Sequence, residues 1–150
     1  MSYHGCDLRK GRYSEPGRPY LITTVTHLRV PVFYDFYAAR ALVDEFRYLH
    51  DSGFVESLAW VVMPDHLHWL LIPHTRSVSS VIQQLKGRSA SRVHKLQDKS
   101  GPLWQKGFHD RALRKHEDIQ SVARYIVANP LRAGIVRRVG DYPHWDAVWL

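Results

Sequence analysis

The chain has 150 residues, 45% of them hydrophobic and 23% charged, a composition that suits one globular domain with a real core. Lys and Arg outnumber Asp and Glu by 21 to 14, a net charge of +7, so a polyanionic partner or a basic solubilising surface is expected. No apolar run is long enough to span a membrane, no opening segment reads as a secretory signal, and a single cysteine, Cys6, cannot close an internal disulfide, so a cytoplasmic protein is the expectation.

Residues 1–18 are rich in Gly, Pro and Arg without periodicity and read as an irregular basic arm. PYLITTVTHL (19–28) alternates and is β-branched, which predicts a strand. A turn over 29–32 leads to a helix capped by Asp35 and closed by Gly53, with Phe36, Ala39, Leu42, Val43, Phe46 and Leu49 recurring at inward positions. FVESLAWVVM (54–63) and HLHWLLI (66–72) predict two strands joined tightly through Pro64-Asp65. A second helix follows Ser77 as cap, with Val78, Val81, Ile82, Leu85, Val93 and Leu96 inward and Gly87 as a point where it could bend. A strand over 108–114, a third helix over 117–130, and an aromatic tail at 141–150 complete the chain. There are no internal repeats and no linker, so one domain over 1–150 is expected. The order β-α-β-β-α-β-α is that of an α+β, ferredoxin-like split βαβ plan with an added C-terminal helix, an antiparallel sheet with helices on one face.

Two stretches carry candidate chemistry. In MPDHLHWLLI (63–72) His66 and His68 are two apart on a strand and so share one face, while Leu67 and Trp69 share the other. Side-by-side imidazoles on a core strand need hydrogen-bond partners or a ligand, and a pair of neutral imidazoles is a common metal half-site. Two hydrogen-bonded histidines with no ligand satisfy the pattern equally. An H-x-H-x-H nucleotide hydrolase would want a third histidine, but position 70 is Leu, and His74 lies beyond Pro73. On the last helix Ile119, Val122, Ala123, Ile126 and Val127 form an apolar stripe, and Tyr125 and Asn129, four apart, share its edge. Tyr125 could be a half-buried core residue or a nucleophile; a phenol needs a metal, cation or base to attack at neutral pH. Pro130 disfavours α geometry at Asn129, which is therefore expected near the helix end, slightly off the ideal position.

MPDHLHWLL, followed some sixty residues later by YIVANPLRAGIV, with LWQKGFHDRALR between them, closely resembles the REP-associated tyrosine transposases. These are relatives of the single-tyrosine HUH transposases, named for His-hydrophobic-His. The resemblance runs from PYLITTVT to about Val136. It implies a ferredoxin-like fold and cleavage of single-stranded DNA by Tyr125, leaving a 5′-phosphotyrosine link and a free 3′-OH. It also implies a divalent ion, Mg²⁺ or Mn²⁺, held by His66, His68 and Asn129. The two imidazoles favour Mn²⁺ over Mg²⁺. The expected substrate is hairpin DNA with a single-stranded tag, and the expected state is a monomer, a dimer being the alternative.

Nine basic residues between 86 and 115 face only Asp98 and Asp110, and Lys86, Arg88, Arg92 and Lys95, with Trp104, Lys106, His109 and Arg111, are candidates to grip phosphates and stack on bases. Arg132, nearly two helical turns past the tyrosine, is another phosphate candidate. Arg9, Lys10, Arg12 and Arg18 of the arm are candidates for reaching the tag. The aromatic tail, with Trp145 and Trp149, is expected to clasp the sheet, or else to lie across the active site. The same charges and aromatics would also serve a protein that binds hairpins without cutting them. Only the HxH and tyrosine constellation separates the two readings.

Overall fold

A computed structural model describes residues 14–114 and 118–149. The elements are β1 (Tyr20–Val25), α1 (Phe36–Asp51), β2 (Val55–Met63), β3 (His66–Pro73), α2 (Val78–Gln97), β4 (His109–Ala112), α3 (Ile119–Val127), the one-turn α4 (Asn129–Arg132) and β5 (Trp145–Ala147). The sheet runs β4-β1-β3-β2-β5, antiparallel at every pairing. The first four strands are therefore in ferredoxin-like order, and the strand carrying both histidines is central.

The local signals act where local physics predicts. Asp35 accepts a hydrogen bond from the Ala38 amide and Ser77 from the Ser80 amide, each satisfying an N–H that the first helical turn leaves unpaired. Gly53 ends α1 at φ +77°, a left-handed conformation that costs glycine little. α2 runs unbroken through Gly87. Neighbours on both sides hold Gly87 within one continuous helix, and the bend it could permit is absent.

The sheet has two covered faces. Ile22, Trp60, Leu67, Trp69 and Leu71 pack against α1 and α2 through Leu42, Phe46, Leu49, Val81, Ile82 and Leu85. Leu58, Val61, Met63 and Leu70 pack against Ala123, Ile126 and Val127 of α3. The expectation of helices on one face alone is corrected here. α3 carries its own apolar stripe, and odd-numbered Val61 and Met63 of β2 with even-numbered Leu70 of β3 give it a second apolar surface to bury.

Two expected core positions lie outside. Phe36 is exposed at the first turn of α1, its ring 5.6 Å from Tyr37 and 5.4 Å from His144. Leu96 is exposed in the last turn of α2, beyond Val93, the last buried residue of that helix. The tail forms the edge strand β5, pairing Ala59 with Ala147 and Val61 with Trp145, and Trp145 donates to the Val139 carbonyl at 3.1 Å. That matches the clasp expected of it.

Candidate active site

Parity sets the site. In β3, Leu67, Trp69 and Leu71 point to α1 and α2, so His66 and His68 point to the face covered by α3. Across the sheet His68 is level with Thr23 of β1 and Val61 of β2, and His66 with Val25 and Met63. The two imidazoles meet edge to face, their centroids 5.0 Å apart.

Each imidazole has one nitrogen occupied. The Nδ1 of His66 lies 2.7 Å from Oδ1 of Asp65, and the Nδ1 of His68 lies 2.8 Å from Oγ1 of Thr23. The ionised Asp65 carboxylate can only accept, so the His66 ring carries its proton on Nδ1 and keeps its lone pair on Nε2, whereas the Thr23 hydroxyl can either donate to or accept from Nδ1 of His68. Ligating histidines generally have this outer support. Burial, reinforced by the charges of His66 and Arg132, pushes His68 down to about 4, so its ring is neutral at ordinary pH. Burial alone would raise the Asp65 carboxyl, but the His66 hydrogen bond and the Arg29 charge outweigh it and hold it below its usual value. Arg29 pairs with Asp65 at 3.1 Å.

Tyr125 projects from α3 with 62% of its surface exposed, so the half-buried alternative is excluded and its hydroxyl is open to a large substrate. The Arg132 guanidinium lies over its ring, 3.6 Å from the centroid, while its charge also reaches His68. Arg132 therefore contacts the tyrosine ring and acts electrostatically on His68. α3 ends at Val127, and Asn129 opens α4, with Pro130 in its first turn. The break is the one that a proline after Asn129 predicts. Asn129 is half-buried, a place from which a carboxamide oxygen can serve as a ligand.

A divalent ion fits this donor set. Two neutral imidazoles with one amide oxygen suit a borderline cation and leave positions for phosphate oxygens and water. Among the described residues no group of three or more His, Cys, Asp or Glu side chains gathers to hold a metal, so the completing donors would be amide, water or substrate oxygens.

The basic candidates divide by face. On β4, His109 is level with Thr23 and Arg111 with Leu21, on the same face as the histidine pair. Lys106 and His109 line a shallow cleft with Thr23 and Val25. Lys86, Arg88 and Arg92 lie elsewhere, on α2 beyond the other face. The Lys86 ammonium is held by the carbonyls of Gln105 and Gly107. Arg88 pairs with Glu45 at 2.8 Å and lies 4.7 Å from the Tyr48 ring centre. Arg92 binds the Ala41 carbonyl, Asp44 and Glu45. These three hold α1, α2 and a loop together, and the Arg88 and Arg92 side chains keep 51% and 43% of their surface exposed. Lys95 is exposed on the same helix.

Trp104 is also corrected. It is buried, its ring 5.2 Å from Phe33 and its Nε1–H donating to Ser89 at 3.0 Å, and it offers no free face to a base. Arg18 donates to the Leu113 carbonyl and pairs with Glu15 at 3.3 Å. Arg9, Lys10 and Arg12 lie outside the described residues. Sequence reasoning missed Asp65, Thr23 and Arg29. Asp65 was detectable as the immediate neighbour of His66, whereas Thr23 and Arg29 come from a distant segment.

A ferredoxin-like sheet with a histidine pair on its central strand, and an exposed tyrosine under an arginine on the helix covering that face, define the DNA-processing transposase class. The chain belongs to the IS200-like transposases: residues 18–129 match the family model "Transposase IS200 like". It is 33% identical over 87 residues to a REP-associated tyrosine transposase of Escherichia coli K12, covering 57% of this chain and 50% of that one. The chain thus spans about half the length of the curated relatives it matches. A solved REP-associated tyrosine transposase bound to a REP hairpin shares the fold, with a TM-score of 0.71 and 24% identity over 89% of this chain and 79% of that one. A Deinococcus radiodurans R1 structure provisionally described as a transposase has a TM-score of 0.55 and 26% identity, covering 79% and 95%. The resemblance carried by MPDHLHWLL and YIVANPLRAGIV is borne out. No helix among the described residues is long and apolar enough to cross a membrane.

Proposed function

We propose that the chain cuts and rejoins single-stranded DNA beside a hairpin, through a 5′-phosphotyrosine intermediate and with a divalent ion as cofactor. The observation that carries this is that Tyr125 stands exposed on the helix covering the sheet face to which both histidines point, under an Arg132 guanidinium whose charge acts on His68. The hairpin carried by the solved relative supports the substrate class.

His66 and His68 would hold the ion, with Asn129 as an oxygen donor; when bound, it would polarise the scissile phosphate and offset its developing charge. The Tyr125 oxygen attacks phosphorus and loses its proton to water. The P–O3′ bond breaks as the Tyr–O–P bond forms, and the departing oxygen is protonated to a 3′-OH. Arg132 offers its fixed charge to the transferring phosphate as charge builds. Reversal by another 3′-OH rejoins the strand, and no nucleotide cofactor is consumed.

The test is a denaturing gel of the protein with end-labelled hairpin oligonucleotides drawn from palindromes flanking its gene, plus Mn²⁺ or Mg²⁺. A protease-sensitive shifted band is expected for the wild type and absent from Tyr125→Phe and His66→Ala. Binding by all three proteins with no adduct in any would overturn cleavage in favour of a hairpin-binding protein. Calorimetric titration should show tighter Mn²⁺ than Mg²⁺ binding; equal affinities would sink that ordering.

A further inference from the structure

We infer that Arg29 and Asp65 form a positioning pair that holds His66 in the tautomer presenting Nε2, and that the left-handed turn at Leu28–Arg29 exists to deliver the guanidinium. The inference rests on the reading of His66 as a ligand. Three observations meet at Asp65.

Its Oδ1 is 2.7 Å from Nδ1 of His66, and its Oδ2 is 3.1 Å from Nε of Arg29. One carboxylate therefore takes an imidazole proton on one oxygen and a guanidinium on the other. The Arg29 contact keeps the carboxylate from rotating away, and the carboxylate keeps the proton on Nδ1. Secondly, Thr26 donates its amide to the main-chain carbonyl of Asp65 at 2.9 Å, and its single hydroxyl proton is shared between that carbonyl at 3.1 Å and the Val30 carbonyl at 2.8 Å. The turn and the residue before His66 are thus fixed to each other through backbone and side chain alike.

Thirdly, Leu28 and Arg29 both have φ of +56°. Two successive non-glycine residues in the left-handed region persist only where their surroundings over-determine them, and such places concentrate at functional sites. Leu28 is 80% exposed, so its own packing does not account for the conformation. What the turn accomplishes is to reverse the chain after β1 and bring Arg29 onto Asp65. Thr26 locks it by donating to the Val30 carbonyl at 2.8 Å.

A purely structural Asp65, serving only the hairpin turn, would leave the His66 tautomer unchanged when removed. Nitrogen-15 NMR of the histidine rings in the metal-free full chain reads the tautomer directly, with His68, supported by Thr23, as internal reference. In Asp65→Ala the His66 signals should move toward the Nε2–H form while those of His68 stay. Mn²⁺ affinity, read by paramagnetic resonance, should fall about 10- to 100-fold. Asp65→Asn, whose amide oxygen still accepts, should retain the wild-type tautomer. Arg29→Ala should weaken Mn²⁺ several-fold, with Arg29→Lys recovering part of the loss, and this pair carries the test if Asp65→Ala fails to fold. An unchanged His66 tautomer with Mn²⁺ affinity within twofold of wild type would overturn the inference. Should the wild type bind no Mn²⁺, the metal reading fails, while the tautomer shift in metal-free protein still decides the positioning claim.

Discussion

At Arg132 two interactions meet: the guanidinium covers the Tyr125 ring, and its charge reaches His68. An exposed cation–π contact stabilises by about 0.5–1 kcal/mol, so Arg132→Ala should change unfolding free energy by no more than about 1 kcal/mol in urea titrations. Its loss from the transferring phosphate should lower the single-turnover cleavage rate about 100-fold or more. Arg132→Lys should recover part of that rate, since it keeps the charge but not the planar face. Equal rates for all three proteins would remove Arg132 from the chemistry. Trp104 lies at the other extreme, a buried ring hydrogen-bonded to Ser89. Trp104→Ala should cost about 3–5 kcal/mol of stability, and the folded fraction should bind hairpin DNA as wild type does. A large loss of affinity with intact stability would restore it as a base-stacking residue.

The basic side chains of α2 and those around β4 look alike in composition, yet they have different employment. Arg88 and Arg92 converge on Glu45, whose side chain is only 1% exposed. Removing either arginine would leave a buried carboxylate with less compensation. Lys106 and Arg111 border the histidine face. Replacing a phosphate contact lowers the slope of log K against log salt by about 0.7–0.9. Arg88→Ala with Arg92→Ala should therefore leave the salt slope of hairpin binding unchanged while reducing stability. Lys106→Ala with Arg111→Ala should lower the slope by about 1–2. The opposite assignment of slopes would place the DNA on the α2 side.

Across the whole molecule, the C-terminal segment closes the sheet. Val62 donates to the His144 carbonyl and Val148 to the Leu58 carbonyl, while the buried Tyr142 hydroxyl donates to the Val62 carbonyl. The otherwise open edge of β2 is thereby covered, which blunts a surface prone to pairing with other chains. Burial pushes Tyr142 up to about 12, above the value near 10 of an unfolded tyrosine. Its contribution is complete below pH 10 and is lost as pH rises through 12, because the unfolded chain ionises first. Tyr142→Phe should be about 1 kcal/mol less stable at neutral pH, and as pH rises from 10 toward 12 the gap should close and then reverse, because two pKa units are worth about 2.7 kcal/mol. A gap that stays constant in pH-resolved denaturation would show that burial does not shift this hydroxyl.

Much of this protein could be read along the chain. Caps at Asp35 and Ser77, the strand parity of His66 and His68, and the apolar stripe of α3 follow from periods of 2 and 3.6 and from unpaired amides at helix ends. Those are interactions between residues a few positions apart. Leu96 and Phe36 kept the helical period yet lie outside, because the period shows which way a residue points and not whether anything packs there. β5 is three residues long and has no pattern of its own; only an unpaired edge of β2 makes it a strand. The choice of sheet face for α3, the engagement of Arg88 and Arg92 by Glu45, and the support of His68 by Thr23 and of Asp65 by Arg29 join segments about 35 to 70 residues apart. By itself the sequence determined which residues share a face. Tertiary structure decided which faces meet, because burying a stripe or pairing a charge requires a partner that only the folded chain supplies.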